Sequence, residues 1–92
     1  MEPTPIFACN LRAYSDAMKG RGVTHTEQAK RCNMSKPVFS QLRSGKVHAP
    51  TVWTALRLAE MLGVTVDDLL TDRPDRRAAV AKRIFSAAVQ PS

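Results

Sequence analysis

Apolar residues recur along this chain at helical spacing, and no stretch alternates as a strand would. Phe7, Leu11, Tyr14 and Met18 follow one another at steps of four, three and four, which sets them on one helical face. This first helix is predicted to open at Thr4-Pro5, where proline suits the first turn, and to end at Gly20 and Gly22. Thr24 opens a second, short helix, with Glu27 three residues on as the partner of a capping box. That helix stops near Cys32-Asn33, where asparagine tolerates the left-handed conformation that ends helices.

Ser35 caps a third helix. Pro37 falls in its first turn, where a missing N–H costs little. Phe39 and Leu42 point one way and Lys36, Pro37, Ser40, Gln41 and Ser44 the other, before Gly45 closes it. Thr51 opens a fourth helix with Val52, Ala55, Leu56, Ala59 and Leu62 at core spacing, ending at Gly63. Thr65 opens a fifth, whose Asp67 and Asp68 suit the positive end of the helix dipole and whose Leu69 and Leu70 are expected to pack back onto the core. After a break at Asp72 to Asp75, an alanine-rich helix is predicted to reach Val89. Val80, Ile84 and Ala88 form its apolar stripe, and Arg76, Arg77, Lys82 and Arg83 its polar side. The pattern gives an all-α chain, with a domain at residues 1–72 and a C-terminal helix and tail at 73–92.

Ninety-two residues allow one small domain, for which a dimer partner is a natural aid to stability. No apolar run has membrane-spanning length, and Met-Glu-Pro-Thr-Pro lacks the basic start of a signal peptide, so the expected location is cytoplasmic. Cys9 and Cys32 are read as structural thiols, since two cysteines make no disulfide framework and no Cys/His cluster has zinc spacing. No cofactor is expected. His25 and His48 have no nucleophile or carboxylate constellation beside them and there is no glycine-rich phosphate loop, which argues against an enzyme.

Charge narrows the choice of partner. The net charge is +6, and between Ala17 and Pro50 lie Lys19, Arg21, Lys30, Arg31, Lys36, Arg43 and Lys46 with only Glu27 opposing them. The next segment is acidic, with Glu60, Asp67, Asp68 and Asp72 against Arg57. A basic face attracts a polyanion and releases its counterions. Two capped helices around a tight turn within such a face have the form of a helix-turn-helix, which reads double-stranded DNA.

Thr24 to Leu70 resembles the Cro/C1-type (XRE) helix-turn-helix family. The resemblance rests on an ordered set: Ala29 within helix 2, Ser35 capping helix 3, Phe39 and Leu42 inside it, Gly45 after it, Pro50 before helix 4, and the closing run Leu62 to Leu70. It implies a five-helix, lambda repressor-like domain, here followed by a C-terminal helix. Several positions depart from the family pattern. Gln28 and Cys32 stand where leucine is usual, and Asn33 where glycine is common. The family's pairing of an arginine late in helix 1 with a glutamate late in helix 3 is replaced by Met18 and Arg43, so both of its members are missing together.

Geometry and resemblance agree on Lys36, Pro37, Ser40 and Gln41 as base-contacting residues. Gln41 suits adenine N6 and N7, and Lys36 suits guanine. His25, Ser35, Ser44, Lys46 and His48 are candidates for the DNA backbone. A homodimer on a palindromic operator would need a further surface. The candidates are Val64, Val66 and Leu70 at the end of the domain and Val80, Ile84 and Phe85 on the tail, which could instead pack on its own domain or take a protein partner; Trp53 is a further possibility. The expected function is a sequence-specific transcriptional regulator, most naturally a repressor. The alternatives are an antitoxin or restriction–modification controller protein acting on its own operon, and a helical protein-interaction adaptor.

Overall fold

A computed structural model of the chain describes residues 5–47 and 50–87. It contains α1 (Ile6–Gly20), α2 (His25–Arg31), α3 (Lys36–Ser44), α4 (Val52–Leu62), α5 (Val66–Leu70) and α6 (Pro74–Ala87), and no strand among the described residues. The expectations placed on Thr4, His48, Ala88 and Val89 lie outside them. No described helix is long and apolar enough to cross a membrane.

The hydroxyl residues start the helices as their side-chain chemistry predicts. Thr24, Ser35, Thr51 and Thr65 are extended, and each side chain accepts the backbone N–H three residues on. Each therefore satisfies one of the donors that a helix start leaves free. The reciprocal capping box, however, forms at Thr65 and Asp68, where the carboxylate accepts the Thr65 N–H. At Thr24 only the threonine half is made; Glu27 instead faces Arg31 one turn on, 3.5 Å away. Asn33 takes φ 57 in the α2–α3 turn and Gly45 takes φ 87 after α3, left-handed conformations that end both helices.

α1 is the hub and touches each of the other five helices. Its Phe7, Leu11, Tyr14 and Met18 are buried with Ala29, Cys32, Phe39, Leu42, Leu58, Ala59, Leu62 and Leu69 in one cluster. Two expectations about the core do not hold. On α4 the buried face is Ala55, Leu58, Ala59 and Leu62, while Val52 and Leu56 are exposed; on α5 Leu69 is buried and Leu70 is exposed. Leu58 carries the stripe because it sits three residues from Ala55 and four from Leu62.

The tail helix is part of this same body. α6 packs along α1 and meets α5, and Val80 and Ile84 join the core cluster. Both are almost fully buried, at 2% and 4% exposure, which withdraws them from the dimer surface expected of them. Phe85 lies over Gly20, so close that a Cβ there would come within 2.8 Å of its ring.

Polar contacts lock the same junction. Tyr14 donates its hydroxyl to the Asp68 carbonyl at 2.6 Å. Asn10 donates to the Leu69 and Thr71 carbonyls at 2.7 and 2.8 Å and accepts from Arg77. Arg76 donates to Asp68 Oδ1 through Nε and Nη2 at 3.0 and 2.9 Å. Burial pushes the Asp68 carboxyl up, but Arg76 and Thr65 outweigh it and hold the group below its ordinary range. The arginines on the polar side of α6 thus act inside the domain.

Candidate nucleic-acid interface

The segment from Thr24 to Gly45 forms two helices joined by a short turn, with α2 and α3 packed on each other and both on α1. Ala29, Phe39 and Leu42 are buried where the pair meets the core. This leaves the opposite side of α3 free. Lys36, Pro37, Ser40 and Gln41 are all exposed, and Val38 adds an exposed apolar side chain at 46%. One helix therefore presents a cation, an amide, a hydroxyl and apolar surface to solvent. Those are the groups that read donors, acceptors and thymine methyls in a major groove.

The residues assigned to the DNA backbone fall into several situations. Lys46 is exposed just after α3. Ser35 is exposed, with its oxygen accepting the Val38 N–H at 3.4 Å as the cap. The Ser44 hydroxyl turns back to donate to the Gln41 carbonyl at 3.0 Å. His48 lies outside the described residues.

His25 stands in the first turn of α2, as expected, but its ring is tucked inward. Nε2 is buried 3.5 Å from Asp16 Oδ1, and the ring leans on Phe39 with centroids 6.3 Å apart. Burial lowers the pKa of His25, and the Arg43 and Lys19 charges add to this, while Asp16 opposes them. The imidazole is therefore held towards its neutral form, and its Nε2 does not face solvent.

Asp16 and Arg43 account for the exchanged positions in α1 and α3. Arg43 Nη2 donates to Asp16 Oδ1 at 2.8 Å, and Arg12 donates to the Arg43 carbonyl at 3.1 Å. The two helices are bridged by charge after all, with the acid on α1 and the base on α3. Met18, at the family's position, is buried in the core, and Asp16, about half a turn back on α1, carries the charge instead.

Gln28 is the other departure with a structural role. It is fully buried, and its amide donates to the Ser15 and Val23 carbonyls at 3.0 and 2.9 Å, pinning the α1–α2 connection to α2. Its Oε1 has no partner among the described residues. Cys32 is buried at the end of α2, and burial pushes its thiol up to about 11, so it stays protonated and inert.

Two capped helices on a helical core, the second with a polar exposed face, define a helix-turn-helix domain. Residues 15–75 match the family model of the Cro/C1-type HTH DNA-binding domain, and the chain belongs to that family. It is a DNA-binding domain of the regulator type. Neither the curated proteins nor the solved structures compared with the chain gave a match.

Proposed function

We propose that this protein is a sequence-specific transcriptional regulator that binds a palindromic operator as a homodimer and acts as a repressor. The observation that carries the reading is the exposed face of α3, with Lys36, Pro37, Ser40 and Gln41 on a helix whose other face is anchored by Phe39 and Leu42. In this reading Gln41 pairs with an adenine and Lys36 with a guanine, and Pro37 meets a thymine methyl. Lys46, Ser35 and the first-turn N–H groups at His25 hold phosphate and set register. Ser44 contributes little, because its hydroxyl is already engaged.

The dimer surface we favour is the apolar side of α4 and α5. Val52, Trp53, Leu56 and Leu70 are all exposed there, beside a groove of about 220 Å³ that Ala55 and Val66 help to line. Exposed apolar residues gathered in this way mark an interaction surface.

Selection of bound fragments from random duplex DNA tests the proposal. A consensus with two related half-sites about one helical turn apart is expected. Gln41→Ala should then cost about 1–3 kcal/mol at one base position, whereas Lys46→Ala should weaken all sequences alike and flatten the salt dependence. Binding without sequence preference would overturn the regulator reading.

A further inference from the structure

A second cleft lies away from the exposed face of α3. It is an open pocket of about 360 Å³ formed by the C-terminal ends of α1, α2 and α4 and by α6. Three arginines line it, Arg21, Arg31 and Arg83, with Glu60 as the acid among them. The lining therefore carries a net charge of two positive units, counting three arginines against one glutamate. Its apolar lining includes Met18, Met61 and Ile84.

Internal partners use these arginines incompletely. Among the described residues no oxygen accepts from Arg21: Nη1 meets only the Met18 sulfur at 3.5 Å, and Nε is buried with no partner. Arg31 meets Glu27 at 3.5 Å across an exposed surface. Arg83 lies 3.6 Å from Asp68, whose carboxylate is already held by Arg76 and the Thr65 N–H. A helix C-terminus attracts a cation, which explains Arg21 and Arg31 at the ends of α1 and α2. It does not explain Arg83, within α6, as the third arginine lining the same cleft beside Met61. Guanidinium groups recognise phosphate oxygens through paired hydrogen bonds, and thioethers pack well against aromatic rings.

We propose that this cleft binds a phosphate monoester carrying a compact aromatic or apolar group. The phosphate head sits among Arg21, Arg31 and Arg83, drawing Arg31 and Arg83 from their long contacts with Glu27 and Asp68, and the body lies against Met61. The occupant would join α2, the first helix of the DNA-binding pair, to α6, so the site is suited to an effector. Its binding does not depend on the DNA-binding reading and is measured without DNA.

Phenyl phosphate is the probe, titrated into the full chain at constant ionic strength and followed by amide NMR. Saturable shifts at Arg21, Arg31, Gly63 and Arg83 are expected. Arg21→Gln should weaken binding at least tenfold. Arg31→Gln, at an exposed position that tolerates change, should weaken it severalfold even if Arg21→Gln does not fold. Arg12→Gln, outside the cleft, should leave it unchanged. Inorganic phosphate and phenol separate the two halves of the ligand, and each should bind more weakly than the ester. Inorganic phosphate binding as tightly would reduce the site to an adventitious ion only. Phenol binding as tightly, shifts that never saturate, or no effect of Arg31→Gln would equally overturn the proposal.

Discussion

Gln28 shows how much a single side chain can hold. Its amide fills a place in the core and ties together Ser15, Val23 and α2, while its Oε1 has no partner among the described residues. Gln28→Ala loses two hydrogen bonds and leaves a cavity, so it should cost about 3 kcal/mol. Gln28→Leu keeps the volume and removes the unpaired oxygen along with the two bonds, so it should cost less than about 1.5 kcal/mol. Denaturant unfolding measures both, and equal losses would mean that the hydrogen bonds outweigh packing. His25 offers a second test at this scale. Its folded pKa lies below the ordinary 6.5, so the unfolded chain binds the proton more readily. The stability it contributes is present above that pH and is lost as pH falls through the lowered folded value. His25→Gln should flatten the pH dependence of stability in that acid window, and an unchanged slope would place the titration elsewhere. The sequence marked both residues as notable. It could not supply their roles, because Ser15 and Asp16 come from another helix and face them only in the folded chain.

Most of the individual elements were legible in the sequence because their signals are local. A hydroxyl residue and the backbone N–H three positions on lie within one turn, so the N-caps of α2 to α5 were readable, as were the closing Asn33, Gly45 and Gly63 of α2 to α4. The packing of α6 was not, because an apolar stripe is the same whether it meets its own domain or a second copy. Here Val80 and Ile84 meet α1, and Asn10 and Asp68 receive Arg77 and Arg76. Removal of such contacts should lower the stability of the isolated chain at every protein concentration. Ile84→Ala is expected to cost about 2–4 kcal/mol by cavity formation. Asp68→Ala removes a cap and a charge-assisted pair and should cost about 2–3 kcal/mol. An Ile84→Ala loss that vanished on dilution would instead return Ile84 to an interface. The charged bridge between α1 and α3 is a smaller matter. Asp16 is more than half exposed, so solvent screens the pair, and Asp16→Asn should cost about 1 kcal/mol at most.

At the scale of the whole molecule, the exposed faces differ in character. The exposed side of α3 is mostly polar, with Lys36, Ser40 and Gln41, whereas Val52, Trp53, Leu56 and Leu70 are exposed apolar residues of α4 and α5. A two-fold dimer uses one patch twice, so a substitution there acts in both copies. Leu70 is 53% exposed, and placing a carboxylate on it should leave the fold within about 0.5 kcal/mol of its original stability. At a two-fold interface the same change removes two buried leucines, together about 3 kcal/mol or more, a loss of over a hundredfold in dimer affinity. Leu70→Glu is therefore expected to sediment as a monomer under conditions where the unaltered chain sediments as the proposed dimer. Its binding to a full operator should fall steeply, while its weak grip on one half-site should be unchanged, because no residue of α3 has been touched. An unaltered sedimenting mass would remove the α4–α5 patch from the interface, and an equal loss on half-sites would mean that Leu70 supports the DNA-reading unit itself.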